Sequence, residues 1–248
     1  MQARHRVLDP AARVRIDKNL CALAVMTKAP RAGKVKTRLV PLLSPEEAAQ
    51  LNVSFLRDTA AAIAKACGTI ARGVGVYTPI GAEAGYIDIL PNDFDLLPQR
   101  GDGFGERLAF ATEDLFQCGF SSVCLIDSDS PTVSGDVYEK AVEILSKSGE
   151  RVVLGPSDDG GYYLIGLKRN SPQLFERIDW STERVLEQTQ QRARELSLDV
   201  SLLPTGYDVD DAATLRRLCD ELLSDRSARD VAPSTREFLA ALTAQKKL

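Results

Sequence analysis

The run SVCLIDSDSPTVSGDVYEKAVEILSKSGERVVLGP, residues 122–156, decides the fold. It opens on SVCLID (122–127), an apolar stretch of the length and composition of a buried strand. A helical pattern follows in SGDVYEKAVEILSKS (134–148), with Ser134 or Asp136 near its cap, and RVVLGP (151–156) returns as a second strand. A strand followed by a helix and another strand is the unit of a parallel sheet covered by helices.

The alternation continues in both directions. Upstream, CALAVM (21–26) reads as a buried strand and SPEEAAQLNVSFLRDTAAAIAKA (44–66) as a helix. That helix is marked by Ser44 as N-cap, Pro45 at the first helical position and Glu47 completing a capping box. TIARGVGVY (69–77) predicts a strand weakened by its glycines, FDLLPQ (94–99) a short one, and RGDGFGERLAFATEDLFQC a glycine-rich turn entering a helix near residue 104. Downstream, YYLIGL (162–167) follows 151–156 closely enough to pair with it. STERVLEQTQQRARELS (181–197) predicts a helix, VSLLPT (200–205) a strand and DAATLRRLCDELLS (211–224) a last core helix. The expected architecture is α/β: a single Rossmann-like domain over residues 21–224 with a mostly parallel sheet, a polar leader at 1–20 and a peripheral helical tail at 225–248.

Composition bounds the function. At 248 residues, 44% hydrophobic and 27% charged, the chain resembles an ordinary globular protein. No apolar run approaches the ~18 residues of a membrane span, and the charged opening MQARHRVLDPAARVRIDKN does not read as a secretory signal, so a cytoplasmic location is expected. Cys21, Cys67, Cys118, Cys124 and Cys219 are odd in number and never spaced as CxxC, which argues against a disulfide framework or a zinc site. Cys21 and Cys124 lie inside apolar runs and read as buried hydrophobes. His5, in the polar leader, is the only histidine, so mechanisms built on a histidine base are disfavoured and any metal is directed to carboxylate oxygens, as magnesium or manganese prefer.

Charge is sharply localised. The net charge is −4, yet Lys18 to Pro45 holds six basic residues and no acid; taking that +6 from −4 leaves −10 for the rest. An acidic body with one basic loop is unlike a duplex-binding protein and suits a small anion. In TKAPRAGKVKTRL (27–39) the cations Lys28, Arg31, Lys34, Lys36 and Arg38 surround Gly33, which allows close backbone approach. The loop reads as a phosphate cradle or as a solvated basic loop. It is not a Walker loop, because Lys28 stands where the first glycine would be and Val35 where the hydroxyl should follow Gly-Lys.

Three acid clusters follow three other strands. Asp127 and Asp129 in DSDSP can turn toward one cleft and hold a divalent ion, or they can be turn caps. In PSDDGGYY (156–163) a tight turn accounts for Asp159-Gly160 but not for the whole run with Asp158, Gly161 and Tyr162. In YDVDD (207–211) Asp211 serves as a helix N-cap, whereas Asp208 and Asp210 are surplus to capping. Ligands of open α/β sheets bind at the C-terminal ends of strands, where all four motifs lie. Together they describe a metal and phosphate site.

MTKAPRAGKVKTRL, LIDSDSPT, LGPSDDGGYYLIGL, IDWSTERVL and DVDDAATL closely resemble, over residues 21–224, the glycosyltransferase-like family labelled radical-SAM/selenodomain-associated or arsenosugar-biosynthesis transferase. KTRL and DVD are more distantly similar to phospholactate and molybdenum cofactor guanylyltransferases. The resemblance implies the GT-A nucleotide-diphospho-sugar transferase fold, Asp129 as the metal-site aspartate, Lys28 to Arg38 as the nucleotide loop, and Asp159, Gly160 and Gly161 on the acceptor side. Asp127 departs from the family's usual glycine.

The resulting expectation is a metal-dependent transferase using a nucleotide sugar or a nucleoside triphosphate and a small-molecule acceptor, with no nucleic acid partner. Lys28, Arg31, Gly33, Lys34, Lys36, Arg38, Gly103 and Arg107 bind the nucleotide, Asp127, Asp129 and Asp210 hold magnesium or manganese, Asp159 and Asp208 are catalytic, and Asp158, Gly160, Gly161 and Tyr162 meet the acceptor. Glycosyl transfer is the first reading and nucleotidyl transfer its rival. VCLIDSDSPT also resembles the first motif of haloacid-dehalogenase-type phosphatases with Asp127 as nucleophile, although Pro131 stands where that motif wants threonine. A further alternative is a nucleotide-binding module without catalysis.

Overall fold

A computed structural model of the chain describes residues 5–12, 16, 19–40, 42–224 and 230–245. Seven strands form one sheet: β1 (Cys21–Lys28), β2 (Ala71–Thr78), β3 (Asp95–Pro98), β4 (Ser122–Ile126), β5 (Arg151–Pro156), β6 (Tyr162–Leu167) and β7 (Asp199–Leu202). Their spatial order is β3-β2-β1-β4-β6-β5-β7. All neighbours are parallel except at β6, which runs antiparallel to both β4 and β5. This is the single mostly parallel α/β sheet expected from the alternation, and β5 and β6 pair as their close spacing predicted, the structure showing the pair to be antiparallel.

Side-chain alternation along β1 divides the core. Cys21, Leu23 and Val25 face α1 (Pro45–Cys67) and α3 (Gly135–Ser146), against Leu56, Ile63, Tyr138 and Leu145. Ala22 and Ala24 face the other layer, where Leu108, Ala111 and Leu115 of α2 (Phe104–Cys118) and Ala193 of α4 (Val185–Glu195) pack. Cys21 and Cys124 are buried, as their apolar settings predicted. The α1 cap forms as read: the Glu47 amide donates to the Ser44 hydroxyl at 3.2 Å, and the Glu47 carboxylate accepts from the Ser44 amide at 2.8 Å.

The structure corrects several boundaries. The helix expected over 181–197 starts only at Val185, because Ser181 takes φ 64° and residues 181–184 form a turn. The helix of 211–224 divides into α5 (Ala212–Cys219) and a π-helical turn over Asp220–Ser224. The leader is not merely polar. His5 is buried, its ring nitrogens lying 3.0 and 3.3 Å from the carbonyls of Phe94 and Tyr86, and Val7 makes a parallel bridge to Leu96 beside β3. The histidine is thus structural and remote from the strand ends that carry the motifs.

Of the tail, residues 230–245 are described and their helix packs into the core, while 225–229 and 246–248 lie outside the described residues. Helix α6 (Pro233–Ala244) buries Leu239 and Leu242 in a third cluster with Leu39, Phe55, Leu215 and Leu218. Its start has no local side-chain cap; instead Asp58, on α1 and buried, accepts from the amides of Ser234 at 2.9 Å and Thr235 at 2.8 Å. Asp58→Ala removes both acceptors at once and is expected to lower unfolding stability by about 2–3 kcal/mol, measured by urea denaturation. A change below ~0.5 kcal/mol would show that α6 contributes no docking energy through this cap.

Candidate active site at the strand ends

Sheet topology brings the four motifs together. The loops after β1, β4, β5 and β7 leave the same edge, and β6, running the other way, starts there with Tyr162, preceded by Gly161. Two backbone links lock the loops: the Val209 amide donates to the Asp129 carbonyl at 3.0 Å, and the Asp158 amide to the Gly206 carbonyl at 3.1 Å. A cavity of about 520 Å³ opens between them, with Asp127, Asp129, Ser157, Asp159, Asp208 and Asp210 among its walls. A second, of about 280 Å³, lies against the basic loop and is lined by Lys28, Lys34, Lys36, Thr37, Arg38 and Asn52. Arg38, Ser128, Asp129 and Asp210 are walls of both.

Lys36 joins the two. Its side chain is only 4% exposed, and its Nζ lies 2.9 Å from Asp129 Oδ1, 3.0 Å from Asp210 Oδ1 and 2.7 Å from the Val209 carbonyl. Burial works to lower its pKa, but the charges of Asp129 and Asp210 outweigh that and hold it above the ordinary lysine value. Lys36 is thus a buried cation held between two acids, not the solvent-facing one that the loop suggested. Arg38, 75% exposed and 3.8 Å from Asp210 Oδ2, with exposed Lys28 and Lys34, supplies the open positive charge. Gly33 takes φ 71° in the turn that presents Lys34, whereas Arg31 lies outside both cavity walls.

Gly103 and Arg107 do not meet either cavity. The Glu106 carboxylate accepts from the amides of Asp102 and Gly103 at 3.0 and 3.1 Å, so an internal anion already fills the N-terminus of α2. Arg107 is spent on the carbonyls of Gly101 and Asp102.

The acids divide by environment. Asp127 sits at the cavity floor; burial first, then the charges of Asp129 and Asp208, push its pKa up to about 8 despite a 2.7 Å bond from the Ser130 hydroxyl. A metal ligand or a phosphatase nucleophile acts as the carboxylate, the form that this shift disfavours. Asp208 accepts from Ser157 Oγ at 3.1 Å, and burial with Asp159 and Asp210 nearby raises its pKa. Asp159 accepts from the Gly161 amide at 2.8 Å and faces the cavity. Asp158 turns away into an ion pair with Arg217, whose guanidinium stacks on Tyr207 at 3.7 Å, so it is not on the acceptor side. Gly160 is needed for packing: at φ 89° it lies against the Glu183 backbone, where a Cβ would clash. Gly161 and Tyr162 line the cavity, and Asp211 is the α5 N-cap, accepting from Ala213 and Thr214 at 2.9 Å.

Among the described residues no group of three or more His, Cys, Asp or Glu side chains assembles as a metal cage. Magnesium commonly takes only one or two carboxylates and completes its shell with water and substrate phosphates. Asp129 and Asp210, whose carboxylates converge on one Nζ and are 33% and 47% exposed, form such an oxygen pair beside the basic cavity. The donor chemistry fits a hard divalent ion.

Phe104, Trp180 and Glu183 are among the wall residues that escaped the sequence reading. Phe104 is 57% exposed and meets Trp180 edge-on, with ring centroids 5.1 Å apart, and Glu183 stands nearby on the 181–184 turn. The signal available was a phenylalanine opening a helix directly after a glycine-rich turn; reading 181–184 as helix concealed the rest.

Comparison with known proteins places this architecture. Residues 58–182 match the profile of a family described as uncharacterized protein conserved in bacteria (DUF2064). A provisionally assigned nucleotide-diphospho-sugar transferase from Desulfovibrio desulfuricans G20 superposes with a TM-score of 0.80 at 29% identity, covering 92% of this chain and 96% of that one. A nucleotidyl transferase from Methanothermobacter shares the fold at TM-score 0.55 and 14% identity, over 83% and 99% of the two chains. The inositol-1-phosphate CTP transferase from T. maritima does so at 0.53 and 13%, over 89% and 98%. No curated protein matches the sequence. Among the described residues, no helix is long and apolar enough to cross a membrane.

Proposed function

We propose that this chain, which belongs to the family described as uncharacterized protein conserved in bacteria (DUF2064), is a metal-dependent transferase that moves a glycosyl group from a nucleotide sugar to a small-molecule acceptor. The observation that carries this reading is the pair of cavities with a common wall: Lys28, Lys34 and Arg38 on one side, Asp159 and Asp208 on the other, Asp129 and Asp210 between them. The 29% identity to the nucleotide-diphospho-sugar transferase over nearly the whole chain supports the same class. The resemblance to arsenosugar-biosynthesis-type transferases agrees with it.

Lys28, Lys34 and Arg38 would bind the donor's diphosphate, and Asp129 with Asp210 would hold magnesium or manganese, whose charge offsets that developing on the departing diphosphate. Lys36 fixes the two carboxylates at the junction. As the bond from the sugar's anomeric carbon to the diphosphate oxygen breaks and one to the acceptor oxygen forms, Asp208, with Asp159 beside it, takes the acceptor's hydroxyl proton. Its raised pKa suits a base. Ser157 holds Asp208 in place at 3.1 Å.

A thermal-shift series of nucleotide sugars and nucleoside triphosphates, each with and without manganese, tests the assignment. One nucleotide sugar at about 100 times its Kd should stabilise the protein by ~2.7 kcal/mol, several degrees in Tm, only with metal. Asp129→Asn should weaken that binding at least tenfold. Preference for a free triphosphate would convert the assignment to nucleotidyl transfer, and no response to any nucleotide would remove it.

A further inference from the structure

The larger cavity has a wall that donor binding at the basic loop does not use. Phe104 opens α2 and is 57% exposed, although the apolar residues Leu108, Ala111 and Leu115 of that helix turn into the core. Trp180 stands edge-on to it at an interplanar angle of 73°, and both line the cavity. Trp180 is closely seated, since a Cβ on Gly105 would lie 2.5 Å from its Nε1. The pair is an apolar platform held at the rim of a polar chamber.

The charged groups of that chamber are mostly acids. Asp129, Asp159, Glu183, Asp208 and Asp210 line it, with Arg38 the one cationic wall residue among the described residues. Lys36, behind Asp129 and Asp210, is already matched to them. A divalent ion would arrive together with a nucleotide diphosphate of similar and opposite charge, so donor binding would leave the acceptor side negative. Carboxylates are acceptors only, and hydroxyl groups are donors that fit them without added charge. Like charges brought into such a site are rejected.

We infer that the acceptor is an uncharged, polyhydroxylated compound that lays one face on Phe104 and Trp180 and offers hydroxyls to the acid wall, and that phosphate esters and carboxylic acids are rejected. The inference rests on the transferase reading and names the acceptor class for that site.

Trp180 is the only tryptophan of the chain, so its fluorescence reports directly on this wall. Wild-type protein with manganese and the stabilising nucleotide sugar is titrated with glucose, glucose 6-phosphate, glucosamine, myo-inositol and inositol 1-phosphate. At least one neutral compound should shift the Trp180 emission saturably, with its phosphate ester at least tenfold weaker. Phe104→Ala, at an exposed position, should weaken the neutral compound about tenfold with thermal stability unchanged. Glu183→Gln should narrow the neutral-to-phosphate ratio about threefold. Tighter binding of a phosphate ester or of glucosamine, unaltered affinity in Phe104→Ala, or no emission change with either neutral compound would overturn the inference. Should any of these occur while nucleotide and metal still stabilise the protein, the acceptor class falls and the transferase reading stands. Loss of the nucleotide response itself removes the transferase reading.

Discussion

Replacing Asp129 and Asp210 together by asparagine is expected to lower unfolding stability by about 3–5 kcal/mol in metal-free buffer, more than removing Lys36 itself. The asymmetry follows from exposure. The Lys36 side chain is 4% exposed, and those two carboxylates are its counter-charges at 2.9 and 3.0 Å. Without them the ammonium keeps the Val209 carbonyl as an acceptor but has no charge to offset its burial, so it must lose its proton or draw water inward. Lys36→Met leaves Asp129 and Asp210, 33% and 47% exposed, free to hydrate, and should cost only about 1–3 kcal/mol. Urea denaturation of the wild type and the two variants measures both. If Lys36→Met costs more than the double variant, the lysine is not the buried member of the trio.

Asp127→Asn is expected to do the opposite and stabilise the chelator-treated protein by about 2–4 kcal/mol at pH 8. Burial, with Asp129 and Asp208 close by, pushes the Asp127 pKa up to about 8, well above the ordinary carboxylate value of 3.8. Between those values the folded chain holds a proton that the unfolded chain releases. The group's contribution is therefore fully favourable below the unfolded pKa and is lost as pH rises toward the folded one, with a slope of up to ~1.4 kcal/mol per pH unit. Asparagine has nearly the shape of the neutral acid and keeps an oxygen for the Ser130 hydroxyl, 2.7 Å away in the wild type. Stability measured from pH 5 to 8 should fall more steeply in the wild type than in Asp127→Asn. Parallel curves would mean that Asp127 is ionised in the folded protein.

How far the site was legible depends on which forces place each residue. Asp129, Asp159, Asp208, Asp210, Gly161 and Arg38 were readable because each lies one loop beyond an apolar strand, and topology brings those loops to one edge. Gly103 and Arg107, read as nucleotide ligands, line neither cavity, and a glycine-rich helix start looks alike in sequence whether or not its own Glu106 caps it. Asp158 and Asp159 are adjacent in sequence yet have opposite uses, since Arg217, 58 or more residues away along the chain, claims only Asp158. The Phe104 and Trp180 wall was hidden for a similar reason: its members are distant in sequence and meet only when α2 and the 181–184 turn are packed.

The sequence by itself determined the alternating elements, the pairing of β6 with β5, the α1 capping box and the gathering of acids and cations at strand ends, because periodicity, caps and strand length act over neighbouring residues. Only the tertiary structure decided that Lys36 is buried between two acids, that the Asp127 pKa is pushed upward, that His5 is held by backbone carbonyls and that α6 is capped by Asp58. Desolvation and Coulomb attraction depend on distance through space, and a side chain acquires its charge state and its partner only when remote segments close around it.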